Sequence, residues 1–231
     1  MYIYIYYPMV KIISIEGNIG SGKSTIVQNL KKYSKSDYIF VQEPVDEWKT
    51  ICDEHGESIL SHFYKDNKQY SFQFQMMAYI SRLNILRNII KTNPNAIIIT
   101  ERCLFTDRNV FAKMLYESDN MTKIEYDIYN KWFDTFISDV PLDGIFYVKT
   151  TPEICEERIK RRNRDGETIP LNYLNKCHQY HEDWLNSIDI PIIYYDGNIN
   201  INGDNIISAI KQIDSKIHEL FVDNTIVMQE H

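Results

Sequence analysis

The sequence predicts an α/β protein, a parallel sheet flanked by helices, and three observations lead there. Short β-branched apolar runs alternate with longer amphipathic stretches, the signature of repeated βαβ units. Runs such as IIIT and IIYY are apolar throughout instead of alternating, as strands covered on both faces are. A glycine-rich loop joins the first such run to the first amphipathic stretch.

Taken in order, strands are expected at Lys11–Glu16, Tyr38–Gln42, Ala96–Glu101, Gly144–Lys149 and Ile190–Tyr195. Helices are expected at Lys23–Tyr33, from about Lys68 to Lys91, and then at Leu104–Tyr116, Lys123–Ser138, Pro152–Arg162, Pro170–Asn186 and Asn205–Leu220. The Gly and Asn cluster from Gly197 to Asp204 reads as a loop. With 231 residues, 44% of them hydrophobic, and no internal repeat or linker, one domain spanning 1–231 is expected. Residues 1–9 read as an N-terminal extension, with Met9 an alternative start and the residues before it equally able to extend the first strand, and residues 222–231 read as a flexible tail.

Composition narrows the function. A net charge of −7 argues against a general nucleic-acid binder, which needs a basic excess, so any phosphate chemistry must draw on local positive charge. The four cysteines are scattered, with no C-x-x-C pair and no histidine cluster to complete a zinc site, as expected of reduced thiols in a cytoplasmic or organellar protein. No run approaches the roughly 18 apolar residues of a membrane span, and the opening segment lacks the flanks of a signal peptide, so no membrane partner is expected.

Gly17, Asn18, Ile19, Gly20, Ser21, Gly22, Lys23 and Ser24 match G-x-x-x-x-G-K-[ST] in full, between a strand and a helix, and Thr25 follows. Glycines let backbone N–H groups turn toward phosphate oxygens, the helix N-terminus adds positive potential, Lys23 adds a point charge, and Ser24 can reach Mg²⁺. The loop predicts bound nucleotide.

The acceptor must be sought at the ends of the other strands. The second strand ends at Glu43-Pro44, with Trp48 beyond. Glu43 is positioned to take the proton of an attacking hydroxyl, although an isolated Glu-Pro is more often a surface carboxylate before a turn. The third strand ends in Glu101-Arg102. Glu101 can hold Mg²⁺ and Arg102 can brace Glu43 or the reacting phosphoryl group, and a plain ion pair is the alternative.

The long helix carries Phe74, Gln75, Ala78 and Arg82, with 75, 78 and 82 along one face, and the next helix carries Asp107 and Phe111 one turn apart. Glutamine suits the hydrogen-bonding edge of a base, an aromatic can stack on it, and Asp107 can accept from an amino group or hold Arg82. Packing residues and a surface pair are the alternatives. In ERIKRRNRDGET, Arg158 and Arg162 stand one helical turn apart and Arg164 lies just beyond, a basic run able to stabilise a transferring phosphoryl group or to be only a solvated face.

Together GNIGSGKST, EPVDEW, FYKD, SFQFQ with ISRL, ERCLFTDRNVFAKML, TPEICEERIKRRNRD and IPLNYLNKCHQYHEDWL resemble the deoxynucleoside kinase family, particularly the deoxycytidine and deoxyguanosine kinases. The resemblance implies a P-loop kinase fold with a five-stranded parallel sheet flanked by helices, an arginine-rich lid, a homodimer packed through helices, ATP with Mg²⁺, and a deoxynucleoside as the small-molecule partner. It implies Glu43 as general base, with Trp48, Gln75 and Phe111 at the base. Tyr64 and Glu167 would meet the sugar 3′-hydroxyl, Arg102 the 5′-hydroxyl and Glu101 the metal, with Arg158, Arg162 and Arg164 in the lid. Arg82 with Asp107 resembles members that accept cytosine or purines, so deoxyguanosine, deoxyadenosine or deoxycytidine is expected ahead of thymidine, and a thymidine-accepting or broad-specificity deoxynucleoside kinase is the alternative.

Two departures from the family pattern bear on the site. Cys103 stands where relatives usually have serine, and the lid between Arg164 and Ile169 is one residue shorter, which leaves the register of Glu167 open by one residue. A nucleoside monophosphate kinase shares the loop and lid but must neutralise a phosphate on its acceptor, which Glu43 would repel. A non-catalytic nucleotide-binding protein would not need lysine, acidic pair and lid together.

Overall fold

The computed structural model describes residues 10–163, 169–201 and 205–226, with side chains in the last segment described as far as Leu220. Five parallel strands, β1 (Lys11–Glu16), β2 (Tyr38–Val41), β3 (Ile97–Glu101), β4 (Gly144–Lys149) and β5 (Ile192–Asp196), form one sheet in the order β2-β3-β1-β4-β5. The strand bounds differ from expectation by a residue or two at β2, β3 and β5. β5 starts after Pro191 because proline has no N–H for the ladder, although its carbonyl still accepts from Ile145 N–H.

The helices are α1 (Lys23–Tyr33), α2 (Val45–Trp48), α3 (Ile59–Lys65), α4 (Asn67–Thr92), α5 (Leu104–Thr106), α6 (Lys113–Glu117), α7 (Lys123–Phe136), α8 (Pro152–Arg162), α9 (Leu171–Leu185) and α10 (Ile206–Ile226). Neighbouring β-strand residues face opposite ways, so β1 builds a core on each side. Ile13 and Ile15 pack with Leu30, Ile213 and Ile217 of α1 and α10, while Ile12 packs with Tyr79, Leu83 and Leu86 of α4 and Phe133 of α7. Burying one such side chain is worth roughly 1.5–3 kcal/mol.

Two expectations are corrected. The single helix expected over Leu104–Tyr116 is broken by a π segment at Asp107–Ala112 between α5 and α6. The last helix continues through Ile226, into the segment expected as a tail. The short helices α2 and α3 lay in a stretch read without elements, and α3 is capped by Ser58, whose side chain accepts the N–H of Ser61. Among the described residues no helix is long and apolar enough to cross a membrane.

The register aligns the carboxyl ends of the strands. Ile15 pairs with Glu101, Glu16 with Tyr147 and Val41 with Thr100, so the loops after β1, β2 and β3 emerge along one edge. That edge is where ligands bind in open α/β sheets.

Candidate active site

The loop after β1 wraps into the N-terminus of α1. Gly20 (φ 79°) takes a left-handed conformation, and a Cβ there would lie 2.6 Å from the carbonyl oxygen of Cys155, so α8 packs against bare backbone. Gly22 (φ 105°) caps α1 with no side chain in the way. The Lys23 ammonium donates to the Asn18 carbonyl at 2.7 Å, and burial, with the Arg102 charge, pushes its pKa down to about 8. Asn18 is itself tied down, its amide donating to Leu174 O at 2.9 Å. Ser24 Oγ donates to Glu101 Oε1 at 2.6 Å, so a hydroxyl and a carboxylate converge beside the loop.

Glu43, two residues beyond β2, is the hub of the opposite wall. Its Oε1 lies 2.8 Å from Arg102 Nε and 3.4 Å from an Arg82 amino group. Burial works against the ionised carboxyl, but Arg102, Arg82 and Lys23 outweigh it and hold its pKa below the ordinary carboxylate value. Arg102 also donates to Gly17 O at 3.1 Å and lies 4.7 Å over the Phe111 ring. Its backbone is left-handed (φ 62°), a sparsely populated region for arginine.

Beneath this pair Arg82 is almost wholly enclosed, with 1% of its side chain exposed. It donates to Asp107 Oδ2 at 2.9 Å and to Glu101 O at 2.7 Å. Burial opposes its charge, yet Asp107 and Glu43 outweigh that and raise its pKa. Asp107 faces the cleft from the π segment, and Arg82 lies behind it.

One cleft of about 1330 Å³ joins the two walls. Ile19, Gly20, Gly22, Lys23, Ser24 and Thr25 of the loop line it, as do Glu43, Trp48, Tyr64, Phe74, Gln75, Glu101, Arg102, Asp107 and Phe111. Trp48 is fixed by its indole N–H donating to Ser81 Oγ at 2.9 Å and by an edge contact with Phe74, which stacks on Phe63 with ring centres 4.5 Å apart. Such locked aromatics make a flat, rigid slot for a planar ring.

Arg158 and Arg162 of α8 line the same cleft. Arg158 donates to Ser21 O at 3.0 Å and to Asn200 Oδ1 at 3.1 Å, which links the lid helix to the phosphate loop and to the turn after β5. Arg164 and Glu167 lie outside the described residues.

A sequence model described as deoxynucleoside kinase matches residues 13–222, nearly the whole chain. The chain belongs to the deoxynucleoside kinase family. It is 39% identical over 197 residues to deoxycytidine kinase from Mus musculus, covering 76% of this chain and 75% of that one. It is 35% identical over 225 residues to deoxycytidine kinase 2 from Gallus gallus, covering 84% of each. It is 35% identical over 195 residues to mitochondrial deoxyguanosine kinase from Xenopus laevis, covering 76% of this chain and 73% of that one. The protein is a deoxynucleoside kinase, a phosphotransferase acting on a nucleoside hydroxyl, with ATP as the phosphoryl donor that the family implies.

The kinase cleft also contains residues that the sequence reading passed over. Tyr173, Pro170 and Ile169 form part of its wall, and Asn67 lines it from the start of α4. Their signal was present in IPLNYL for Ile169, Pro170 and Tyr173, but a proline capping a helix and a tyrosine in its first turn carry no chemistry until the helix is seen to start beside the cleft.

Proposed function

We propose that this kinase moves the γ-phosphoryl group of ATP to the 5′-hydroxyl of a deoxynucleoside, with Glu43 receiving the hydroxyl proton. The observation that carries this reading is the Glu43–Arg102 contact of 2.8 Å in the cleft that Lys23 and Ser24 also line. A carboxylate held ionised at neutral pH can orient the hydroxyl and accept its proton late, as suits the loose transition state of phosphoryl transfer. Arg102 keeps that carboxylate from repelling the incoming phosphate charge, and Arg158, Arg162 and Arg164 supply cations to the equatorial oxygens.

Ser24 and Glu101 fit Mg²⁺. They present hard oxygens at the phosphate end, and among the described residues no cluster of three or more His, Cys, Asp or Glu offers a rival metal site. Magnesium bound through one or two protein oxygens and substrate phosphates would neutralise charge on the transferring group.

The aromatic slot and Gln75 suit the base, with Tyr64 and Glu167 assigned to the sugar. The enclosed Arg82–Asp107 pair favours deoxyguanosine, deoxyadenosine or deoxycytidine over thymidine, because it sets a polar, charge-paired floor under the base edge. A monophosphate acceptor is disfavoured, since the guanidiniums of Arg82 and Arg102 are already engaged by Glu43 and Asp107 instead of being held for a phosphate on the acceptor.

A homodimer through α4 and α7 is supported by an apolar stripe one turn apart on α7: Ile124, Ile128 and Trp132 are 73%, 42% and 43% exposed, and Ile80 on α4 is 45% exposed. A cytoplasmic or organellar location is supported by four free cysteines, three of them buried.

A panel of the four deoxynucleosides and deoxyguanosine monophosphate, with ATP and Mg²⁺, tests the reading. Turnover of a purine deoxynucleoside or deoxycytidine ahead of thymidine, with none of the monophosphate, is expected. Turnover of the monophosphate alone would end it.

A further inference from the structure

We propose that Glu16 is a positioning residue for Arg102: its buried carboxyl anchors the turn that holds the guanidinium against Glu43. Glu16 is the last residue of β1 and is wholly enclosed. Its Oε1 accepts the hydroxyls of Ser14 and of Thr106, the latter at 2.5 Å, while Oε2 has no hydrogen-bond partner. A buried carboxyl left half satisfied is costly, and a position that needed only packing would be better served by an apolar side chain.

What the carboxyl holds is the turn carrying Arg102. Thr106 Oγ1 accepts the N–H of Cys103 at 3.4 Å and lies 3.3 Å from its sulfur, so Glu16, Thr106 and Cys103 form a chain ending one residue past Arg102. On the other side Arg102 N–H donates to Ile15 O, and Thr100 Oγ1 donates to Arg102 O. A left-handed arginine persists only where its surroundings over-determine it, and these contacts, rooted on β1 at Ile15 and Glu16, do so. The guanidinium then returns to the same strand end, donating to Gly17 O. Burial raises the Glu16 pKa despite donors from Ser14 and Thr106, so a neutral amide of the same shape can stand in for it. Cys103 departs from the usual family serine, yet its sulfur still meets Thr106.

This inference rests on the role given above to Arg102. Its test measures kcat, KM for ATP and nucleoside, and thermal midpoint for Glu16→Gln, Glu16→Ala, Thr106→Val, Arg102→Ala and the Glu16→Ala/Arg102→Ala double variant. Displacing the guanidinium by about an ångström predicts a kcat loss of about 10²-fold in Glu16→Ala. A smaller loss is expected in Thr106→Val, with KM for ATP unchanged in both and most of kcat retained in Glu16→Gln. The double variant should be no slower than Arg102→Ala alone, because both changes act on one group. Wild-type kcat in Glu16→Ala and Thr106→Val, or losses that multiply in the double variant, would overturn the inference. If Glu16→Ala does not fold, Thr106→Val alone and combined with Arg102→Ala yields the same two outcomes. Full activity in Arg102→Ala would refute the role of Arg102 itself, and the inference with it.

Discussion

The Arg102 guanidinium lies 2.8 Å from Glu43 Oε1 through Nε while another of its nitrogens donates to Gly17 O, so one side chain joins the Glu43 carboxylate to the phosphate loop. A carboxylate and a triphosphate would repel at this range, and a fixed cation between them lets both occupy one cleft.

The buried Arg82–Asp107 pair gives a specificity prediction. Removing one partner would strand a charge at a cost of about 3–5 kcal/mol, whereas replacing both with apolar groups can be nearly neutral. Arg82→Met with Asp107→Ala should therefore fold and should raise kcat/KM for thymidine relative to deoxyguanosine by at least about tenfold. Unchanged ratios across the four deoxynucleosides would contradict the assignment.

The depressed Glu43 pKa has a pH consequence. The carboxyl stays ionised down through the ordinary carboxylate value of 4.5, so the acid limb of kcat/KM for the nucleoside should lie below that value. Arg102→Ala removes the nearest cation and should move the limb to higher pH, a shift that stopped-assay profiles of folded protein can read.

His181 predicts a pH dependence of stability instead. Its ring is fully enclosed, Nδ1 meets Cys177 O at 2.7 Å, Nε2 has no partner, and burial, with the Arg102 charge, pushes its pKa well below 6.5. The unfolded chain binds this proton below pH 6.5 and the folded chain does not, so stability falls as pH drops, by up to about 1.4 kcal/mol per pH unit. His181→Gln should lessen that slope in denaturant titrations between about pH 6.5 and 5. An unaltered slope would count against it.

For the proposed dimer face, Ile128→Glu with Trp132→Glu places two charges on the exposed stripe. Sedimentation should shift from dimer to monomer with the fold retained, and a monomeric wild type would remove the proposal.

Much of the cleft lining could be read from local pattern, because the glycine-rich loop, Glu43 two residues past β2, Glu101 at the end of β3 and Arg162 at the end of α8 each sit at or close to the end of a strand or helix. Lys23–Tyr33 and Pro152–Arg162 matched at both ends, the first opened by Gly22 and the second by Pro152. What escaped was non-local. The left-handed Arg102 depends on contacts from β1, and the π segment at Asp107–Ala112 keeps the apolar spacing of an ordinary helix, so neither leaves a mark in its own residues. α2 and α3 are too short for a helical period to register. Glu16 read as the end of a strand, and its bond to Thr106 spans 90 positions.

The most direct test is Glu43→Gln, with nucleoside affinity measured by equilibrium binding and kcat measured at saturating ATP and Mg²⁺. The amide keeps the shape and loses the basicity, so binding should stay within a few-fold while kcat falls by roughly 10²–10⁴. A kcat equal to that of the wild type would show that the hydroxyl proton leaves by another route.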